Sequence, residues 1–207
     1  MLQITKKLLK EHFTKNRLQF RPEIIVVHIE KEPNLGSKEA IYSEFINAEK
    51  SSHYCINKDG SIWQFVKEED TAWGNGRVHN PSAKKVLEKG NINPNLYSIS
   101  IEHEVLGYEA KGINELQYQT TAKLIQEICE RWLIPLDRKH IIGHREIYSL
   151  KTCPGNIDIS RLISMAHPFI PAVVYTSPDF NKIKKQKISI IEQLVELYKK
   201  LIILLKK

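Results

Sequence analysis

Residues 24–28 of the chain read IIVVH. Four consecutive β-branched aliphatic residues are typical of a strand that is buried on both faces. We therefore predict a central strand over residues 24–27, with His28 at the end where the strand leaves the core. SISIEHEV at residues 98–105 predicts a second strand, of alternating character. HII at residues 140–142 predicts a third, short strand directly before GHRE.

Helices and a hairpin are predicted between these strands. Ser37 can cap a helix over about residues 37–48, and Asn114 can cap one over about residues 114–133. The pair Asp59-Gly60 separates two strand-like runs, which indicates a β-hairpin. Residues 67–96 are polar and rich in Gly, Asn and Pro, so we interpret them as a long surface loop.

The alternation of strands and helices indicates an α/β fold with a mixed central β-sheet flanked by helices. Residues 1–23 are interpreted as a short helix and an extended lead-in. Near the other end, Asn156 or Asp158 can cap a helix with the sequence ISRLISMA. These elements predict one domain over residues 1–166.

The composition changes after this domain. Three prolines predict a linker over residues 167–180. Residues 181–207 are rich in lysine, and their apolar residues recur in steps of three and four, which predicts a basic amphipathic C-terminal helix. Its wide apolar face leaves three fates open: packing on the first domain, self-association, or binding to an anionic membrane.

The overall charge is basic, with 31 Lys and Arg against 24 Asp and Glu and a formal net charge of +7. This charge favours polyanionic partners such as nucleic acid, anionic lipid or an anionic cell wall, but it does not choose among them. No nucleic-acid-binding motif is present, so we expect no nucleic-acid partner. The N-terminus has no apolar stretch long enough for a signal peptide, so we expect synthesis in the cytoplasm.

Three residues are candidate metal ligands. His28 ends the first strand, His144 follows the strand HIIG, and Cys153 lies nine residues later. Zinc binds imidazole and thiolate readily, and a catalytic zinc site keeps its fourth position for water. A lone histidine after a strand is more often structural, and a lone cysteine is more often a core residue. Spacing alone therefore leaves both the metal site and a structural interpretation open.

Five segments, in this order, resemble a known family: IIVVH, SSHYCINKDGSIWQ, SISIEHE, IIGHREI and KTCPG. Together they are similar to the type-2 N-acetylmuramoyl-L-alanine amidases, whose fold is shared by phage lysins and peptidoglycan recognition proteins. The resemblance covers about residues 18–165. It implies an enzyme that hydrolyses the amide bond between N-acetylmuramic acid and L-alanine in peptidoglycan. It also implies that His28, His144 and Cys153 bind one zinc ion.

The resemblance implies further roles in the site. Glu102 matches an acidic residue that serves as a general base, although Glu104 on the same strand could substitute for it. Lys151 matches a lysine that stabilises an oxyanion. Three residues are expected to contact substrate: His53, Trp73 and Asn75.

The chain departs from the family pattern at two positions. Related lysins commonly have AWH where this chain has Trp73 followed by Gly74, so the contact made by that histidine is in doubt. The family usually has a small hydroxyl residue within two positions of the first ligand, whereas this chain has Glu30. This carboxylate is expected to alter the rim or the charge of the site.

Two alternative functions are weighed against the amidase. A recognition module on the same fold binds peptidoglycan without cutting it, but such relatives lose the cysteine ligand, which is present here as Cys153. A zinc deaminase is suggested by His28-Ile29-Glu30, but that chemistry needs a P-C-x-x-C partner, which the chain lacks. We expect a phage or prophage endolysin that reaches the cell wall after release, with a bacterial autolysin as the alternative.

Overall fold

The computed structural model describes residues 2–30, 37–105 and 112–167. Residues Met1–Pro168 form one compact unit. The described elements are β1 (Ile4–Lys6), β2 (Phe13–Thr14), β3 (Ile24–Val27), α1 (Lys38–Asn47), β4 (Tyr54–Ile56), β5 (Ile62–Gln64), β6 (Thr71–Ala72), α2 (Lys84–Lys89), β7 (Ser98–His103), α3 (Glu115–Trp132), β8 (Ile141–Gly143) and α4 (Ile159–Ala166). Short 3₁₀ helices precede β7 and follow β8.

Six of these strands form one mixed sheet in the order β1-β5-β4-β7-β3-β8. Strand β3 pairs in parallel with β7 on one side and β8 on the other, and β7 pairs in parallel with β4. Among the described pairings of this sheet, only β4 and β5 are antiparallel, and they form a hairpin whose turn contains Gly60. The sheet confirms the predicted fold class. Because β3, β7 and β8 are parallel, their carboxyl ends meet at one edge.

Strand β3 lies between β7 and β8, and apolar side chains cover both of its faces. Ile25 and Val27 belong to a core that includes residues of α3 and α4, whereas Ile24 and Val26 pack with Val86 of α2 and its neighbours. All four residues of β3 are completely buried. Full burial of each such side chain contributes roughly 1.5–3 kcal/mol, which fixes the strand and therefore the position of the residue that follows it.

The longest described helix, α3, begins as its sequence predicts. The Asn114 side chain accepts a hydrogen bond from the backbone of Gln117, and the Gln117 side chain completes the capping box. Ile125 and Ile128 face the core. The side chain of Leu116 is 48% exposed and lies over the β4–β5 turn, against Gly60.

Two sequence-based expectations were wrong. Residues 1–23 contain β1 and β2 rather than a short helix, because β1 pairs with β5 at the sheet edge and β2 pairs with β6. Residues 67–96 are not an open loop: they contain β6 and α2, and they end in a 3₁₀ helix over Pro94–Tyr97. Burial of Val86 and Tyr97 in the core explains why this polar segment is ordered.

The predicted caps of two other helices agree with the structure. The Ser37 hydroxyl accepts from the backbone at the start of α1, and the Asp158 carboxylate does so at the start of α4. The predicted linker and C-terminal helix lie outside the described residues, apart from residue 167. Within the described part of the chain, no helix has the length and hydropathy needed to cross a membrane.

Candidate active site

The three predicted ligands meet at the edge where the parallel strands end. His28 follows β3, His144 follows β8, and Cys153 lies on the loop between β8 and α4. One possible ligand atom from each residue lies within 4.8 Å of the other two, and all three residues are buried. The Cys153 Sγ is 3.8 Å from the His28 Nδ1, and the two imidazole centroids are 4.6 Å apart.

Hydrogen bonds from residues around the cluster fix the orientation of its members. The His144 Nε2–H donates to the carbonyl oxygen of Asn75 at 2.9 Å, so the lone pair of the neutral ring lies on Nδ1. The backbone N–H of Ile29 donates to the Cys153 Sγ at 3.3 Å. The carbonyl of Cys153 accepts from the backbone of Arg145 at 2.9 Å, which ties the cysteine loop to the segment that carries His144.

These residues fit a zinc ion. The His28 Nδ1 lies next to the Cys153 Sγ, and the lone pair of the neutral His144 ring is also on Nδ1, so each ring can offer this nitrogen to one ion. Burial and the neighbouring His144 hold the pKa of His28 well below its usual range, which keeps the ring neutral, as a metal ligand must be. Tetrahedral zinc places nitrogen and sulfur ligands about 3.5 Å apart. The observed Sγ–Nδ1 distance of 3.8 Å is close to that value.

The cluster lies in a cavity of about 350 Å³ that is open on one side. Aromatic, acidic and basic side chains line the cavity, among them Trp73, Glu30, Glu102, Lys50 and Lys151. The structure therefore brings the predicted general base and the predicted oxyanion-stabilising lysine into the same cavity as the three candidate ligands.

Glu102 lies on β7, and its side chain is almost completely buried. Burial raises the pKa of this carboxyl well above its ordinary value, and the charge of Glu30 raises it further, while Lys50 opposes the shift. The Lys50 ammonium lies 3.6 Å from the Glu30 carboxylate and also pairs with Glu44. One carboxylate oxygen of Glu102, Oε1, has no partner in the described part of the chain. The raised pKa makes the ionised carboxylate a stronger base, and Oε1 is placed to accept a proton.

Lys151 lies on the cysteine loop. Its backbone N–H donates to the carbonyl of Tyr148 at 2.9 Å, and the residue is exposed. Its positive charge is close enough to contribute to the lowered pKa of His144, after burial of the ring. A cation in this place can interact with negative charge that develops on a substrate oxygen in the cavity.

The three predicted substrate-contact residues have different positions. Trp73 lines the cavity, and its indole N–H donates to Thr14 at 3.0 Å. His53 and Asn75 are completely buried and do not line this cavity, so their contact with substrate stays a prediction. The His53 ring bonds to Arg17, and the Asn75 side chain donates to Ser98 at 2.8 Å. Asn75 contributes to the site through its backbone carbonyl, which accepts the hydrogen bond from His144.

Gly74 has no room for a side chain. A Cβ at this position would lie 2.9 Å from the Ser100 Oγ and 3.0 Å from the carbonyl oxygen of Ser51. The chain therefore cannot present a histidine here with the same backbone path, and the expected departure from the lysin pattern has a steric basis.

Sequence reasoning missed two buried polar residues that hydrogen-bond to predicted site residues. Arg17 donates to the carbonyls of Glu68 and Ser98 and to the His53 ring. His103, at the end of β7, bonds to the carbonyl of His28 at 2.7 Å. Burial lowers the pKa of His103 to about 4. For His103, the available sequence signal was a polar residue at the end of a predicted core strand.

The sequence model of the N-acetylmuramoyl-L-alanine amidase family matches residues 18–156, which is more than half of the chain. The chain belongs to this amidase family. It is therefore a peptidoglycan amidase of the type that the name describes. No curated protein sequence matches it significantly.

Solved structures share the fold of this amidase. A selenomethionine derivative of AmpD has a TM-score of 0.62 and 22% identity, over 80% of this chain and 95% of that one. A mutant endolysin from Bacillus subtilis has a TM-score of 0.59 and 20% identity, over 80% and 99% of the two chains. The amidase LysC from Clostridium intestinale URNW has a TM-score of 0.53 and 18% identity, over 79% and 97%.

Proposed function

We propose that this amidase is a zinc enzyme that cuts the bond between N-acetylmuramic acid and L-alanine, and that it acts as a phage or prophage endolysin. The observation that carries the zinc proposal is the cluster of His28, His144 and Cys153, whose ligand atoms lie within 4.8 Å of one another. Two imidazoles and one thiolate are a donor set that zinc prefers, and three protein ligands leave one position for water.

The protein groups in the cavity supply the remaining chemistry. When bound, zinc acts as a Lewis acid and lowers the pKa of a bound water from about 15.7 toward about 7. Glu102 accepts a proton from the attacking water as the new carbon–oxygen bond forms, and returns it to the amide nitrogen as the carbon–nitrogen bond breaks. The Lys151 ammonium stabilises the negative charge that develops on the carbonyl oxygen.

The shape of the cavity supports a peptidoglycan substrate. The ring of Trp73 forms part of the wall and offers an apolar face for a sugar ring. The cavity is open, so a polymer can lie across it with the scissile amide above the three ligands. The products would be a glycan with a free lactyl carboxylate and a stem peptide that begins with L-alanine.

The endolysin role is the finer part of the proposal. A mutant endolysin from Bacillus subtilis is among the structures that share this fold. The excess of positive charge supports association with an anionic cell wall. We further propose that residues 181–207 contribute through an anionic membrane or through self-association.

Digestion of purified peptidoglycan tests the function. We expect free stem peptides with N-terminal L-alanine in the mass spectrum, lost on chelation and restored by added zinc. Cys153→Ala should release no peptide under the same conditions. Products cut within the glycan or within the peptide, or full activity after chelation, would contradict the proposal. Tight binding to intact wall without products would instead indicate a recognition module. Lysis of whole cells by externally added enzyme tests the endolysin role separately.

A further inference from the structure

His103 is a completely buried histidine whose two ring nitrogens both have partners. Its Nδ1 lies 2.7 Å from the carbonyl oxygen of His28, and its Nε2 lies 2.8 Å from the hydroxyl of Thr121 in helix α3. The ring therefore connects the first candidate ligand to a helix on one face of the sheet. The mechanism proposed above does not use this residue.

The partners determine where the proton of the neutral ring lies. A carbonyl oxygen can only accept a hydrogen bond, so the His103 Nδ1 must carry the proton and donate it to His28. The Nε2 is then an acceptor, and the Thr121 hydroxyl donates to it. Thr121 of α3 therefore donates a hydrogen bond to the His103 ring, and the ring donates one to the carbonyl of His28.

The same peptide group connects His28 to the second candidate ligand. The carbonyl of the His28–Ile29 peptide accepts from His103, and the N–H of that peptide donates to the Cys153 Sγ at 3.3 Å. Because a trans peptide is planar, its C=O and N–H point in opposite directions and rotate together. Fixing the carbonyl therefore fixes the direction of the N–H toward the sulfur.

Other contacts do not replace this restraint. The N–H of His28 donates to the carbonyl of Ile101 at 2.8 Å, which holds the peptide before His28. The N–H of Glu30 donates to the carbonyl of His103 at 3.1 Å, which holds the peptide after Ile29. Between them, the His28–Ile29 peptide has the His103 ring on its oxygen and the cysteine sulfur on its nitrogen.

We propose that His103 is a positioning residue of the metal centre, which orients the His28–Ile29 peptide so that its N–H donates to the Cys153 thiolate. A hydrogen bond to a ligating thiolate draws electron density from the sulfur and restrains its position. Groups that orient metal ligands in this way typically change metal affinity by about 10–100-fold when they are lost. The inference rests on the proposed zinc site.

Two substitutions of His103 distinguish the role of the Nδ1 hydrogen bond from that of the Nε2 hydrogen bond. Asparagine carries its amide near the position of the imidazole Nδ1, so His103→Asn keeps a donor for the His28 carbonyl. Glutamine reaches the position of Nε2, so His103→Gln keeps the contact with Thr121 and loses the donor to His28. Thr121→Val is a matched control, because it removes the hydrogen bond at Nε2 and leaves the one at Nδ1.

Cobalt is the probe, because Co²⁺ bound to a thiolate has a charge-transfer absorption that reports directly on the sulfur. The metal-free full-length chain is titrated with Co²⁺, and zinc affinity is measured by competition with a chelator. We expect His103→Gln to bind about tenfold or more weakly, and to shift the charge-transfer band to lower energy because the sulfur loses its hydrogen bond. His103→Asn and Thr121→Val should keep the wild-type band and an affinity within a few-fold of wild type.

The outcomes separate this inference from the proposed function. If the wild-type chain shows no thiolate band, the metal centre itself is wrong, and this inference fails with it. If the wild type binds Co²⁺ but His103→Gln has the same affinity and band, only the positioning role is overturned. Equal losses in His103→Gln and Thr121→Val would indicate a merely structural role and also overturn it.

A measurement on the unmodified chain covers the case in which His103→Gln does not fold. Nitrogen NMR of the wild-type protein distinguishes the two neutral tautomers of a histidine ring. We expect His103 to carry its proton on Nδ1, and that proton to exchange slowly with solvent. A proton on Nε2 would leave the His28 carbonyl without its donor and would overturn the inference without any substitution.

Discussion

Gly143→Ala should damage the metal centre without touching a ligand. Gly143 ends β8 directly before His144, and it packs against Pro154, which directly follows Cys153. A Cβ at Gly143 would lie 2.6 Å from the Pro154 Cδ, 3.0 Å from its Cγ and 3.2 Å from the Ile159 Cδ1. The backbone angle φ of Gly143 is -97°, which alanine adopts readily, so steric overlap is the only source of strain.

The size of the effect follows from the overlap. Carbon atoms in contact are normally about 3.5–4.0 Å apart, so the proline ring must retreat by about 1 Å. A proline ring cannot rotate away as a flexible side chain can, and Cys153 is bonded to it. We therefore expect a stability loss of about 1–3 kcal/mol from overpacking. A displacement of about 1 Å in a catalytic site can reduce activity by about 100-fold.

The assay compares Gly143→Ala with Gly112→Ala. Both substitutions add one methyl group, but at Gly112 the nearest atom would be the Asn156 Cβ at 4.0 Å, which is ordinary contact. Zinc affinity, thermal unfolding of the metal-free chain and release of stem peptide are measured for both. Wild-type zinc affinity and activity in Gly143→Ala would refute the reasoning, because the loop would then absorb the overlap without moving the thiolate.

Three further predictions concern the cavity. Glu102→Gln should keep zinc but lose about 10²–10⁴-fold in turnover, because the proton carrier is gone; normal turnover would assign the base elsewhere. Lys151→Met should lower kcat with unchanged zinc affinity, and a change in zinc affinity alone would contradict its role at the oxyanion. The pKa of Glu102 is higher in the folded chain than in the unfolded chain, so ionisation of this carboxyl destabilises the folded state. Each pKa unit of difference corresponds to about 1.4 kcal/mol of lost stability. This cost is absent below the unfolded pKa of about 4.3 and complete above the raised folded pKa. Metal-free Glu102→Gln should therefore melt at a higher temperature than wild type in alkaline buffer and at the same temperature near pH 4, whereas equal melting temperatures at both pH values would refute the raised pKa.

The fold was largely predictable because its main elements are encoded by local patterns. The apolar run of β3, the turn at Gly60 and the caps at Ser37 and Asn114 each act within a few residues. The N-terminal strand β1 was missed because it depends on pairing with β5, almost sixty residues away. A strand of three partly exposed residues carries too little hydrophobic pattern to be recognised alone.

The parts of the candidate site that consist of side chains could be predicted from the sequence. A residue that contributes its backbone to the site could not. The resemblance pointed to His28, His144 and Cys153, and the structure places their ligand atoms together. Asn75 was expected to contact substrate, yet its side chain is buried and its carbonyl accepts from His144. A backbone carbonyl has no sequence signature, because every residue has one.

Glu30 and Glu102 are buried carboxylates that line the same cavity. Both carboxylates are buried on the same wall, and the charge of Glu30 raises the cost of ionising Glu102. A core optimised for stability would separate such groups or pair each with its own cation. Here Lys50 lies beside Glu30 and also pairs with Glu44, so it offsets only part of the repulsion. The result is a carboxylate at Glu102 with a high affinity for protons, which is the property that a base needs to take a proton from water. Glu102 lies on the buried strand β7, and Glu30 follows β3 and is tied to β7 by the hydrogen bond from its N–H to the carbonyl of His103.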